Sequence, residues 1–253
     1  MSLNVISNLG IGIGFAHYLP LIAKFPKCVP IYMLEFPHIS MRIVSSIPSH
    51  SSTTRAIDAI LEQDFHTDAC FVAHSLGTAA VAWMLKPQLI KISNRVASTV
   101  LLDPINFLLS DPTLAYSFVY HTPTTVLELL LSYFVSRELY IAWSIGRHFR
   151  WSWNVLFVED LPRQGLNFIV LSGGDGIVPA KKCERYFLSK KQEQALDGDK
   201  YQFPHLDVIL IEGMAHGELM LRQDALQAVS KRIHLACGII KEDGTIISKQ
   251  KSS

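Results

Sequence analysis

Six short apolar runs punctuate the chain, at residues 3–7, 30–34, 70–73, 97–102, 166–171 and 208–211. Each is rich in Val, Ile, Leu or Phe and stops at turn-forming residues, as Pro30-Ile31-Tyr32-Met33-Leu34 stops at Glu35-Phe36-Pro37. Continuous apolar runs of this length suit strands buried on both faces, as in a parallel sheet. Between them the spacing predicts helices over 53–64, 76–85, 180–187 and 218–234. Such alternation predicts an α/β fold: a mostly parallel central sheet flanked by helices, with right-handed crossovers.

Two stretches break the rhythm. Residues 105–161 carry no strand-turn-helix signal but many aromatics, Phe107, Tyr116, Tyr133, Phe134, Trp143 and Trp151 among them. The stretch reads as a helical cap inserted into a single domain spanning 1–253, with most of its aromatics packing the cap onto the sheet. Arg137, Glu138, Arg147, His148 and Arg150 read as a solvated helix face. The polar residues 190–202 read as a surface excursion before the last strand.

Composition narrows the class. An apolar fraction of 49% over 253 residues is enough for one sizeable core. Lys and Arg total 23 against 22 Asp and Glu, so there is no electrostatic case for nucleic acid. Cys28, Cys70, Cys183 and Cys237 are far apart and form no CxxC pair, which argues against zinc or a disulfide framework and for a reduced, intracellular compartment. The N-terminus lacks a signal-peptide pattern, and no uncharged apolar run reaches the ~20 residues that span a bilayer. A cytoplasmic or membrane-surface location is therefore expected.

The candidate chemistry sits at strand ends. In Ala73-His74-Ser75-Leu76-Gly77, Ser75 follows an apolar strand and precedes a helix, with small residues two before and two after it. That is the pattern of a nucleophile elbow, where small neighbours let strand and helix approach closely. A serine hydroxyl needs a base, an acid to orient the base, and donors for the oxyanion. Asp175, in Gly173-Gly174-Asp175-Gly176, follows the strand over 166–171, and His216, in Gly213-Met214-Ala215-His216-Gly217, follows the strand over 208–211. Asp103, in Asp103-Pro104, is a rival acid, since it too ends a strand. The oxyanion donors expected are the backbone N–H groups of Leu76 and of Ile11 in Gly10-Ile11-Gly12-Ile13-Gly14. The same glycines, with Glu35 ending the next strand, loosely match a dinucleotide fingerprint, but the third small residue is misplaced, at Phe15 or His17. No metal or organic cofactor is expected.

On these motifs the sequence resembles the α/β-hydrolase superfamily over nearly the whole chain. In finer detail it is similar to a fungal group with a His-Gly-Ile-Gly-Ile-Gly loop, a strand ending in Asp-Pro and an aromatic cap. Two departures stand out: Leu9 occupies the loop-histidine position, and the superfamily's first two strands, an antiparallel edge pair, have no counterpart. The resemblance implies a serine hydrolase acting on a hydrophobic carboxylic ester or lipid through Ser75, Asp175 and His216. The same residues would serve an acyltransferase, and the two departures leave room for a non-catalytic protein of this fold. The oligomeric state is left open.

Overall fold

The computed structural model describes residues 3–8, 10–12, 14–63, 68–86, 95–124, 126–197, 204–241, 243 and 245. Six strands form one sheet: β1 (Asn4–Asn8), β2 (Ile31–Leu34), β3 (Ala69–His74), β4 (Val96–Leu102), β5 (Leu166–Ser172) and β6 (His205–Ile211). All neighbouring pairs are parallel, in the order β2-β1-β3-β4-β5-β6. Among the described residues no antiparallel strand joins the sheet. β2 and β6 form its edges, and both are only partly buried, whereas β1 and β3 are buried throughout.

Nine α-helices are described: α1 (Leu19–Ile22), α2 (His50–Gln63), α3 (Thr78–Leu85), α4 (Pro112–Ala115), α5 (Val126–Leu131), α6 (Leu139–His148), α7 (Trp151–Asn154), α8 (Ala180–Asp197) and α9 (Gln223–Ala236). The helices divide between the sheet's faces because alternate strand residues point to opposite sides. Ile6, Phe71, Leu101 and Ile169 pack with residues of α2, α3 and α8. Val5, Val72, Val100 and Val170 pack with residues of α1 and α9. The buried residues of α9 (Ala225, Leu226, Val229, Ile233, Ala236) and of α2 (Thr53, Ile57, Leu61) recur every three or four positions, which gives each helix one apolar stripe. The Ser49 hydroxyl caps α2 by accepting the Ser52 N–H at 3.2 Å.

This layering creates a topological switch point. The chain leaves β1 toward α1 on one face and leaves β3 toward α3 on the other, although β1 and β3 are neighbours. Their carboxyl ends therefore open a crevice, the usual ligand position in open parallel sheets.

Three expectations need correction. α8 extends to Asp197, so part of the expected polar excursion is helix; the rest lies outside the described residues. Periodicity marked only its buried half, while Lys, Gln, Glu and Ala carry the exposed half by intrinsic preference. The segment over 218–234 is two elements, a 3-10 turn at Glu218–Met220 and then α9. In the stretch 105–161, Phe107 is buried but Tyr116, Tyr120, Tyr133, Phe134, Trp143 and Trp151 are exposed, so most of the named aromatics do not pack onto the sheet. The stretch is held at its ends instead, by Ile105, Phe107, Leu109, Leu156, Val158 and Leu161 in the core.

Phe107 meets Phe187 of α8 edge-on, with ring centroids 4.8 Å apart. Phe107→Ala is expected to lower unfolding free energy by about 3–5 kcal/mol, whereas Tyr133→Ala, on the exposed part, changes it by less than about 0.5 kcal/mol. Urea denaturation of the two variants checks this.

Candidate active site

β3 passes into α3 through a single 3-10 turn, Ser75–Gly77. The reversal puts Ser75 in the left-handed region, with φ 51°. A non-glycine residue there costs about 1–3 kcal/mol and persists only when its surroundings impose it. Here they do. The Thr78 hydroxyl donates to the Ser75 carbonyl at 2.6 Å, and the Asn8 side-chain amide, at the end of β1, donates to the Gly77 carbonyl at 2.8 Å. Gly10 closes against the same turn: a Cβ at that position would meet the His74 carbonyl oxygen at 2.9 Å and Ser75 Cβ at 3.1 Å. Glycine is thus required there by close approach of two backbones.

The loops after β5 and β6 are tied together. The Gly173 N–H donates to the Ile211 carbonyl and the Gly174 N–H to the Met214 carbonyl, each at 2.8 Å. Asp175 projects from the first loop, and its side chain is fully buried. Its Oδ1 accepts the N–H groups of Ile177 at 2.7 Å and Val178 at 2.9 Å. Its Oδ2 lies 2.6 Å from His216 Nδ1, and His216 Nε2 lies 2.8 Å from Ser75 Oγ. Glycines at both flanks of the histidine loop adopt positive φ, 69° at Gly213 and 75° at Gly217, which turns the chain sharply enough to aim the imidazole back over the sheet.

Burial opposes the charged form of His216, but the Asp175 carboxylate, by charge and hydrogen bond, and the Asp103 charge outweigh it and hold its pKa above the ordinary histidine value. An imidazole so placed can take a hydroxyl proton and keep it while chemistry proceeds.

Asp103 occupies a different place from Asp175. Its two oxygens accept the Ser172 N–H and hydroxyl, each at 2.7 Å, and Oδ2 lies 3.8 Å from His74 Nε2. Burial opposes its charge, but His74, His216 and Ser172 together hold its pKa below the usual carboxylate range. Donor atoms of Asp103, Asp175 and His216 lie within 4.8 Å of one another, the one such group of cation-binding side chains among the described residues. Both ring nitrogens of His216 are already turned to Asp175 and Ser75. Glu35, the acidic residue of the dinucleotide reading, pairs with Arg42 at 2.8 Å.

Leu76 lies in the elbow turn, half-buried. Ile11 lies half-buried in the loop after β1, next to Gly10, and the following Gly12 N–H donates to the Ile39 carbonyl at 3.2 Å. Leu9 and Ile13 lie outside the described residues.

The overall arrangement has close parallels among solved structures. The chain matches the 2-hydroxy-6-oxo-6-phenylhexa-2,4-dienoate hydrolase of Rhodococcus sp. strain RHA1 over 93% of its own length and 91% of that chain, with a TM-score of 0.59 and 15% identity. It matches an esterase of Thermogutta terrifontis over 94% of its length and 91% of that chain, with a TM-score of 0.63 and 10% identity. A third match is an α/β hydrolase enzyme from a Medee basin deep-sea metagenome library, over 98% and 92% of the two chains, with a TM-score of 0.61 and 13% identity. This is the α/β-hydrolase fold. No family model and no curated protein sequence matches the chain.

Beneath the elbow, this α/β-hydrolase fold holds a second polar chain that sequence reasoning missed. The Gly10 N–H donates to the Tyr18 hydroxyl oxygen at 2.9 Å, and that hydroxyl lies 2.8 Å from His74 Nδ1. With the Tyr18 proton donated to Nδ1, the remaining His74 proton sits on Nε2, facing the Asp103 carboxylate. Burial holds His74 below the ordinary histidine value despite Asp103, and burial raises the Tyr18 phenol, so both stay neutral. His17, beside Tyr18, is pushed down to about 4 by burial and then by His74. One signal was available: His74 ends a strand that is otherwise wholly apolar, and a buried imidazole needs a partner.

Tyr18→Phe removes the hydroxyl that serves both Gly10 and His74. It is expected to lower unfolding free energy by about 1–3 kcal/mol, the cost of buried polar groups left without a partner. Equilibrium urea unfolding measures it, and an unchanged midpoint would mean the chain carries no stability.

Proposed function

We propose that the chain is a serine hydrolase that cleaves a hydrophobic carboxylic ester or lipid through an acyl-enzyme. The observation that carries this reading is the continuous line from Ser75 Oγ through His216 to Asp175, at 2.8 and 2.6 Å. Ser75 Oγ attacks the ester carbonyl carbon while His216 Nε2 takes the hydroxyl proton. Asp175 holds the imidazole by Nδ1 and balances the charge it acquires. His216 returns the proton to the departing alcohol, leaving the acyl group on Ser75. A water molecule, deprotonated by His216, then attacks that ester, and the acid leaves with Ser75 restored.

Two backbone donors stabilise the oxyanion in this reading. Leu76 follows the nucleophile at the start of a helical turn, where N–H groups precede the first intrahelical bond. Ile11 is supported by the packing of neighbouring Gly10 against Ser75 Cβ. Asp175 is favoured over Asp103 as the acid, because Asp103 spends both oxygens on Ser172. The stretch 105–161 serves as the cap, and its exposed tyrosines and tryptophans suit a lipid-like substrate or a membrane surface. No described helix is long and apolar enough to cross a membrane. The glycine loop, the Asp103-Pro104 strand end and the aromatic cap also keep the fungal resemblance as part of this proposal.

A fluorophosphonate probe should label the parent chain and leave Ser75→Ala unlabelled; a folded parent that takes up no probe overturns the reading. Asp175→Asn should lower kcat by roughly 10⁴-fold, the scale seen when a triad acid is neutralised, and Asp103→Asn by much less. Equal losses would remove the distinction between the two carboxylates.

The pH profile follows from the sign of the His216 shift. The base must be neutral to act, and its pKa is raised, so kcat/KM should fall with acidification at a pH above the ordinary histidine value of 6.5. Asp175→Asn should move that limb to lower pH, read from the residual rate.

A further inference from the structure

A cavity of about 340 Å³ opens beside the elbow, within the range of small-ligand sites. Its floor is one face of α3 and the turn before it, Leu76, Ala79 and Trp83. Leu76 directly follows Ser75, so the cavity reaches the residue next to the nucleophile. The C-terminal part of α6, the Trp153 end of α7 and the loop between β2 and α2 form its walls.

Part of the wall is aromatic, and its rings contact one another. His50 stacks on Trp153, with ring centroids 4.7 Å apart and planes within 3°, and meets Trp83 edge-on at 4.9 Å. The Trp83 indole N–H donates to Asn154 Oδ1 at 2.7 Å. The ionisable groups in the lining are all basic. Arg147, Arg150, His38, His50 and His148 all border the cavity, and no Asp or Glu does.

These groups act on one another. His38 is pushed down to about 4, by burial and then by His148, and His50 is lowered by burial and then by Arg150. Burial thus favours the neutral form of both histidines, and the charge in the lining is that of Arg147 and Arg150, with no carboxylate among the lining residues to answer it. His38 is more than nine-tenths buried, and its Nδ1 has no hydrogen-bond partner. A cavity shaped only for an alkyl chain gives no reason to converge two guanidinium groups and three imidazoles.

We propose that this cavity seats an anionic group, a carboxylate or a phosphate, carried by the ester that Ser75 cleaves. The proposal rests on the hydrolase reading and names its substrate class: an amphiphilic ester with an oxyanion at one end. Arg147 and Arg150 present planar donor forks matched to such a group, and the aromatic walls cover the carbon skeleton that joins it to the ester. The anion would also supply the partner that His38 lacks and favour its charged form.

Binding and turnover test it separately. In Ser75→Ala, calorimetric titration with octanoate, octyl phosphate and 1-octanol should show at least one of the two anions binding tenfold or more tighter than the alcohol. Which anion leads distinguishes a carboxylate from a phosphate substrate. Arg147→Gln/Arg150→Gln, both exposed and so compatible with folding, should bring the anion-to-alcohol ratio down toward one. Equal affinity for all three ligands overturns the proposal, as does a preference that survives the double substitution. For turnover, the chain with Ser75 intact should prefer the mono-4-nitrophenyl ester of suberic acid over 4-nitrophenyl octanoate by a similar factor in kcat/KM, again lost in the double variant. If neither ester is cleaved while the titration keeps its anion preference, the anion site stands and the hydrolase reading falls. If both esters are cleaved equally well, the hydrolase reading stands and the anion site falls.

Discussion

Only three residues separate the end of β3 from the start of α3, so the chain must reverse at Ser75. The left-handed φ there is the local cost of that reversal, and much of the neighbouring packing acts to hold it. Asn8 clamps the Gly77 carbonyl, Thr78 clamps that of Ser75, and Gly10 packs against the turn where a side chain would clash. Because β1 and β3 send their helices to opposite faces, nothing from the sheet itself crosses above the turn. The serine hydroxyl is thereby held proud of the sheet, where loops from β5 and β6 can bring other side chains to it.

Two polar chains meet at this edge. One runs from Ser75 through His216 to Asp175; the other runs from Gly10 through Tyr18 to His74 and toward Asp103. The His74 and His216 rings approach to 5.3 Å. Their environments push them apart: His216 is raised by its carboxylates, while His74 is kept neutral by burial. The raised member of such a pair is the one suited to take up a proton, and the lowered one is suited to a neutral, hydrogen-bonded place beside the elbow.

The stretch between β4 and β5 follows different rules from the sheet. Its two ends are anchored by core residues, and its middle carries exposed aromatics. The cavity beside the elbow is bounded by the last turn of α6 on one side and by the elbow helix on the other. Glu138 fixes the start of α6 by accepting the Ile141 N–H at 2.8 Å, which sets where Arg147 and His148 fall two turns later. Arg147, His148 and Arg150, which read as a solvated helix face, are exposed as expected and also border the cavity.

The sequence alone determined the α/β alternation, because strands buried on both faces must be continuously apolar and cannot be disguised by surface composition. It also singled out Ser75, Asp175 and His216 by their positions after strands, since the chemistry-bearing edge of a parallel sheet is marked by where apolar runs stop. It could not separate Asp175 from Asp103 by geometry, as both end strands; only the register of β4, β5 and β6 decides which carboxylate reaches the imidazole and which is taken up by Ser172. Tyr18 and His74 were out of reach for a related reason. They are 56 residues apart, and their hydrogen bond exists only because the glycine loop folds over the end of β3. The cavity beside the elbow is the clearest case. Its residues come from three separate segments, each of which reads locally as helix surface or loop, and their basic and aromatic side chains border one space only when the tertiary structure brings those segments together.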